Sequence, residues 1–287
     1  MKKNFILGVG CQKGGTTWLH SQLEKSSNVD MGFTKEYHVF DALYVPECRG
    51  FLNRKLDSLK NTPHDIESLS KKSQLLMHLN FYLNTQNYFD YFDYLWHKGV
   101  PDITTVGDIT PSYSTLPVTA FREIKSGLEA KGFNIKVVFL MRDPIERCWS
   151  MLRMHRKNKL LKNPAIAFLD EEKELESLAF TKICEIRTRY EQTVKNLELV
   201  FDKESIFYSL YENFFEDKTI NKLRSFLEIP DFSPDINYKA NVSKKSESLT
   251  ILSEKLASSI FNHYRDTYEF CESRFGVKEL WPGWKYY

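Results

Sequence analysis

Three groups of residues in this chain have types and spacings suited to chemistry on an anion. The first is Gly8-Val9-Gly10-Cys11-Gln12-Lys13-Gly14-Gly15-Thr16-Thr17-Trp18-Leu19. The apolar run Phe5-Ile6-Leu7 precedes it, and a segment of helical character, Thr16 to Glu24, follows. A strand, a glycine-rich turn and a helix start in succession make an anion site. The N–H groups of a first helical turn have no partner inside the helix, and the helix dipole favours negative charge there. Gly14 and Gly15 let the backbone curl and approach a ligand with no Cβ in the way. The second group is Arg142 with Ser150 about two helical turns later. Arginine offers a planar fork of donors suited to a phosphate dianion, and a serine hydroxyl adds one more. The third is Lys35-Glu36-Tyr37-His38, which sets a cation, a carboxylate and an imidazole side by side.

The first loop departs from the nucleoside-triphosphate P-loop, G-x-x-x-x-G-K-[ST]. Gly10 and Gly15 hold the two glycine places and Thr17 the Ser/Thr place, but Thr16 stands where the lysine belongs. The lysine lies three residues earlier, at Lys13. The loop therefore suits a phosphate-like group met by a differently aimed cation.

Lys13-Gly14-Gly15-Thr16-Thr17-Trp18 resembles the 5′-phosphosulfate loop of the sulfotransferases that use 3′-phosphoadenosine 5′-phosphosulfate (PAPS). The resemblance implies that Lys13 contacts the bridging oxygen of the leaving phosphate. It implies that Gly14, Gly15, Thr16 and Thr17 hold the 5′-phosphate and that Trp18 lies near the adenine. Arg142-Asp143-Pro144 with Ser150 resembles the 3′-phosphate motif of that family. Lys35-Glu36-x-His38-x-Phe40-Asp41 resembles the Lys-Glu-x-His-Phe-Phe segment of the heparan-type and related bacterial carbohydrate sulfotransferases, which makes Glu36 the general base. Lys35 then sits near the sulfuryl group, and His38 is the rival base. Gly107-Asp108-Ile109-Thr110-Pro111-Ser112-Tyr113 resembles the Glu-Lys-Thr-Pro-x-Tyr segment and puts Tyr113 on the substrate side. There Asp108 replaces glutamate and Ile109 a lysine, which counts against a heparan-like polyanion as acceptor. Tyr211-Glu212 resembles the Tyr-Glu-Asp of the small-molecule branch, whose tyrosine touches adenine. Asn241 to Lys245, with Ser243 and Lys244, resembles the late loop that closes over the nucleotide. The likeness runs from the first strand to at least residue 227.

The elements that must carry these residues follow from periodicity. Residues 4–10 read as a buried strand and 16–26 as its helix. Asn28 to Gly32 reads as a short second strand, Thr104 to Asp108 as a third, and Ile206 to Leu210 as the last. Asn134 to Met141 is a nearly continuous apolar run, which fits a central parallel strand covered on both faces. It delivers Arg142; Asp143 is a good N-cap and Pro144 a good first residue for a helix to about Lys157. Helices are expected at Asn87–Lys98, Val118–Glu129 and Phe214–Leu227. Glu174 to Phe201 is expected as one long helix, and Leu249 to Phe275 as another that closes the fold. Residues 44–85 show weak periodicity and suggest helices with an irregular insertion, part of a helical, substrate-side region over 44–100. Pro230 to Pro234 reads as a linker and Asn241 to Ser248 as a loop. Arg147, Arg153 and Arg156 read as helix-face ion-pair partners. Strands alternating with helices argue an α/β fold, a three-layer, P-loop-NTPase-like arrangement with a central parallel sheet flanked by helices. Ligands of such sheets collect at the carboxyl ends of the strands.

The 287 residues suit one domain, residues 1–287. A net charge of +2 does not indicate a nucleic-acid binder. The 14% of aromatic residues suits a packed core and a pocket for an organic acceptor. Five cysteines without C-x-x-C spacing suggest neither zinc site nor disulfide framework. The N-terminal apolar run is too short for a secretion signal and no stretch is long enough to span a bilayer, which suggests a cytoplasmic chain. The expected activity is sulfuryl transfer from PAPS, leaving adenosine 3′,5′-bisphosphate, to a hydroxyl or, second, an amine of a carbohydrate or small molecule. No divalent metal is required on this reading, because lysine, arginine and backbone N–H groups supply the positive potential. A kinase with a degenerate P-loop and an inactive nucleotide-binding module are the alternatives.

Overall fold

The apolar runs form five parallel strands in the order β2-β3-β1-β4-β5. They are β1 (Asn4–Gly10), β2 (Val29–Asp30), β3 (Thr105–Ile109), β4 (Asn134–Met141) and β5 (Ile206–Leu210). The computed structural model describes residues 2–63, 65–98, 101–160, 170–238 and 252–287. Side chains alternate across a strand. Phe5, Leu7 and Val9 of β1, with Val137, Phe139 and Met141 of β4, therefore enter one core. Ile6, Val138 and Leu140 enter the other.

The smaller core is covered by α1 (Thr16–Leu23) and α11 (Asp217–Leu227), through Leu19, Leu23, Leu223 and Leu227. The larger receives α5 (Gln86–Lys98), α6 (Val118–Ala130), α7 (Pro144–Leu160) and α10 (Tyr190–Glu198). The result is the expected three-layer arrangement: a central parallel sheet with helices on both faces. Each fully buried Leu or Phe contributes about 1.5–3 kcal/mol. Between β2 and β3 the chain also forms α2 (Val39–Tyr44), α3 (Gly50–Asn61) and α4 (Leu69–Leu83).

Two helices read as continuous are broken. The segment from Glu174 to Phe201 forms α8 (Glu171–Ala179), α9 (Lys182–Ile186) and α10. The Thr181 side chain accepts from Cys184 N, and the Thr188 hydroxyl donates to Cys184 O at 2.6 Å. Such threonine-to-backbone bonds compete with the helix ladder. The breaks bring Tyr190 into the core, where its hydroxyl donates to Arg142 O at 2.8 Å. The described part of the closing helix divides into α12 (Glu254–His263) and α13 (Arg265–Phe275). Tyr264 leaves helical angles there (φ −106°, ψ 18°), and its buried hydroxyl donates to Ala179 O at 2.6 Å.

Arg147 corrects the expectation of a helix-face ion pair. It is 0% exposed on α7 and meets no carboxylate at ion-pair distance among the described residues. Its Nη2 instead donates to Cys184 Sγ at 2.7 Å and Cys148 Sγ at 3.4 Å. The bond from Cys148, opposed by burial and helped by the Arg147 charge, pulls the Cys184 thiol down to about 5. Two cysteine sulfurs thus serve this buried guanidinium where a carboxylate was expected. All five cysteines are free and buried. Arg156 pairs with Glu171 and Glu174 as expected. Among the described residues no helix is long and apolar enough to cross a membrane.

Candidate active site

Among the described residues, each segment singled out by its chemistry leaves the carboxyl end of a strand, so the parallel sheet delivers them to one edge. The glycine-rich loop follows β1 and joins it to α1. Gly15 takes φ 98° as the N-cap of α1 and supplies no side-chain cap, so the first-turn N–H groups stay available. A Cβ on Gly14 would fall 2.8 Å from Leu140 O and 2.9 Å from Cys11 Sγ. Lys13 itself has φ 71°, an uncommon conformation outside glycine. Its ammonium has no hydrogen-bond or ion-pair partner among the described residues. Burial and the charges of Arg142, Lys35 and Arg153 lower its pKa. Several cations therefore crowd one place with too few anions.

Arg142 follows β4, the neighbour of β1. Its Nη1 donates to Lys13 O at 3.2 Å and its Nη2 meets Glu146 at 3.3 Å. The guanidinium lies 4.5 Å from the Tyr211 ring centre, while its Nε is buried without a partner. Asp143 caps α7, accepting from Glu146 N at 3.0 Å. Asp143 also accepts from the Tyr268 hydroxyl and from Gly283 N. Glu212 ties β5 to this corner: it accepts from Asp143 N at 3.1 Å and from Trp281 Nε1 at 3.1 Å. Ser150 is 6% exposed on α7. Its spacing from Glu146 and Arg153, four and three residues, puts all three on one helix face. Arg153 corrects the ion-pair expectation: it forms no ion pair among the described residues, and its Nε is buried and unpartnered.

The segment after β2 forms a chain of charges. Lys35 Nζ bonds Glu36 Oε1, Glu36 Oε2 lies 3.2 Å from His38 Nε2, and His38 Nδ1 lies 2.8 Å from Asp41 Oδ2. Ser112, after β3, donates to Asp41. The imidazole stacks on Phe51 with ring centres 3.4 Å apart. Burial would raise the Glu36 pKa, but the bond from His38 and the charge and bond of Lys35 prevail and hold it at about 2. Burial would lower the His38 pKa, but the bonds to Asp41 and Glu36 outweigh it and raise it. When doubly protonated, this ring can donate to a carboxylate on each side.

Two expected contacts are placed differently. Tyr113 is 0% exposed, and its hydroxyl accepts from Val39 N at 3.3 Å. It therefore supports the Lys35–Asp41 segment from within and presents no face to a substrate. Trp18 is 2% exposed, packed edge-on to Phe214 and Phe215, with Nε1 donating to Asp235 O at 3.2 Å. Tyr211, beneath Arg142, is only half-buried. Ser243 and Lys244 lie outside the described residues. Reasoning from sequence missed three participants. Ser112 stood inside a quoted motif and Arg153 at helical spacing from Arg142, whereas Phe51 carried no local signal. Among the described residues no cluster of three or more His, Cys, Asp and Glu side chains could hold a metal ion.

Comparison with known proteins bears on this arrangement. The model of the sulfotransferase domain family matches residues 115–272, more than half of the chain. No curated protein sequence matches. The crystal structure of a sulfotransferase from Alicyclobacillus acidocaldarius is 18% identical, covers 95% of this chain and 96% of its own, and superposes with a TM-score of 0.57. A sulfotransferase domain from the curacin biosynthetic pathway is 15% identical over 84% of this chain and 79% of its own, at 0.47. A sulfotransferase from Mycobacterium avium is 14% identical over 93% and 76%, at 0.44. The first of these likenesses is one of fold, and the matched residues take in Arg142, Ser150 and Tyr211. The chain belongs to the sulfotransferase domain family.

Proposed function

We propose that this protein moves the sulfuryl group of PAPS to a hydroxyl, or second an amine, of a carbohydrate or small-molecule acceptor. One observation carries the reading: two anion-binding corners, at the ends of adjacent strands β1 and β4, joined by the bond from Arg142 to Lys13 O. An ATP-type loop needs only the first corner. The orphaned Nε of Arg142, the unpaired Lys13 and the uncapped start of α1 at Gly15 all fit a ligand charged at both ends.

PAPS supplies the sulfuryl group and the phosphate that departs from it. On this reading Lys13 and the N–H groups of Gly15 to Thr17 stabilise the leaving phosphate, while the Gly14 N–H closes the turn onto Cys11 O, and Arg142 and Ser150 hold the 3′-phosphate. Tyr211 offers the adenine its ring, while Trp18 backs the loop. Glu36 accepts the acceptor's proton. Its pKa of about 2 keeps it ionised but leaves it a weak base. Once Lys35 Nζ turns from Oε1 toward the anionic donor, that oxygen is free to take the proton and its basicity rises. His38, held between the Asp41 and Glu36 carboxylates, positions Glu36 through Oε2 and takes no proton itself. Residues 1–287 act as one sulfotransferase domain. The helices between residues 44 and 100 form its acceptor side, as the Phe51 ring on His38 supports.

The test is thermal stabilisation followed by transfer. Adenosine 3′,5′-bisphosphate without magnesium should raise the melting temperature, and ATP should not. Glu36→Gln should keep that shift and lose transfer. Stabilisation by magnesium-ATP alone would turn the reading to the kinase, and loss of transfer in His38→Ala but not Glu36→Gln would exchange the base.

A further inference from the structure

Arg187, at the C-cap of α9, is 7% exposed, yet it meets no carboxylate at ion-pair distance among the described residues. Its Nε is buried without a partner, and its one hydrogen bond is a long one, 3.9 Å from Nη2 to Cys48 Sγ. The other buried arginines have closer partners: Arg147 donates to the Cys184 and Cys148 sulfurs, and Arg156 pairs with Glu171 and Glu174. Arginine cannot shed its proton to escape burial. An isolated buried charge is costly, and a ligand that pairs with it recovers that cost.

Its surroundings say which ligand. Cys48 ends the short turn Pro46–Cys48 just after α2, the helix that holds Asp41. Burial and the Asp41 carboxylate raise the Cys48 thiol and the Arg187 charge lowers it; Phe51, three residues on, stacks on the His38 ring that Asp41 holds. His155 of α7 is lowered by burial and then by the charges of Lys159, Arg187 and Lys13. The turn at Cys48 thus links Arg187 to the His38–Asp41 pair. The 5′ and 3′ ends of the donor are already met by Lys13 and by Arg142 with Ser150. Arg187 adjoins the turn that leads to Phe51 and His38, on the Glu36 side where the acceptor must approach.

We propose that Arg187 is a specificity-determining residue that binds a carboxylate of the acceptor, so the substrate class is an acidic hydroxy compound. The guanidinium fork matches a carboxylate with two parallel N–H donors. This inference rests on the sulfotransfer reading.

The test uses the full chain, sulfur-35-labelled PAPS and the small-molecule fraction of a cell extract. Labelled product is separated by electrophoresis at pH 2 and pH 7. A sulfate ester is charged at both values, whereas a carboxylate adds its charge only at the higher. The expected product gains about one negative charge between them. Arg187→Ala should lower incorporation into it about tenfold or more at limiting acceptor. The thermal shift with adenosine 3′,5′-bisphosphate should stay as in the wild type, which also shows that the variant folds. A product with equal charge at both pH values overturns the inference, and that readout needs no variant. So does a loss of bisphosphate binding in step with incorporation, which would place Arg187 on the donor. Absence of labelled product with the wild type overturns the sulfotransfer reading and this inference with it.

Discussion

Arg142 gives the sharpest quantitative test of the two-cornered donor site. Truncation to alanine removes one charged donor group from a half-enclosed pocket. A hydrogen bond to a charged group is worth about 1.5–3 kcal/mol, which corresponds to about 10- to 150-fold in Kd. The cost to folding should be small. The pair with Glu146 is half-exposed, and the stacking on Tyr211 contributes about 0.5–1 kcal/mol. The assay is isothermal titration calorimetry with two ligands, adenosine 3′,5′-bisphosphate and adenosine 5′-monophosphate, on wild type and Arg142→Ala. The monophosphate lacks the group that Arg142 is assigned to hold. The wild type should prefer the bisphosphate, and the variant should lose most of that preference while binding the monophosphate almost unchanged. Arg142→Lys should fall between, keeping the charge but not the fork. Equal loss for both ligands would mean that Arg142 merely supports the loop through Lys13 O. An unchanged preference would falsify the assignment of the 3′-phosphate.

Two other perturbations have signs fixed by the structure. Gly14→Ala sets a Cβ against Leu140 O at 2.8 Å, so the loop must move, and bisphosphate stabilisation should fall with a stability loss of about 1–3 kcal/mol; an unshifted melting curve, free and bound, would show the cradle to be slack. Burial, against the bonds from Thr110 and Tyr88, raises the Asp108 pKa from 3.8 to about 6. The folded state therefore binds this proton more tightly than the unfolded chain, and the resulting stability is complete below about pH 4 and lost as pH rises through 6. The stability gap between wild type and Asp108→Asn, followed by urea unfolding, should shrink by about 2–3 kcal/mol from pH 4 to pH 7; a gap independent of pH would refute the raised pKa.

Much of the fold was legible because its signals are local. Asn134 to Met141 announces a doubly covered strand by its composition, and its bounds match the observed β4. The glycine-rich loop, Arg142 and the Lys35–Asp41 segment announce themselves by residue type, and parallel topology alone brings them to one edge. What escaped was decided at long range. Leucine and isoleucine spacing continues through Thr181 and Thr188, so periodicity alone could not show the side-chain bonds that break the helix there. Tyr113 and Trp18 have the types expected at a ligand, yet their burial depends on α2, Phe214 and Phe215, whose positions no local pattern gives. The stacking of Phe51 on His38 and the solitary charge of Arg187 likewise arise only when distant segments meet.

The bonds of Gly283 to Asp143 and of Trp281 to Glu212 have a consequence for biosynthesis. They clamp the start of α7, and with it the base of Arg142, by residues synthesised 140 and 69 positions after their partners. Domains tend to acquire structure from the amino end while still being translated. The β1 loop can therefore form on the ribosome, but the corner around Arg142 stays unbraced until residues 281–283 have left the exit tunnel. A nascent chain thus holds the β1 loop first, and the Arg142 corner is braced only when these later residues fold back onto it.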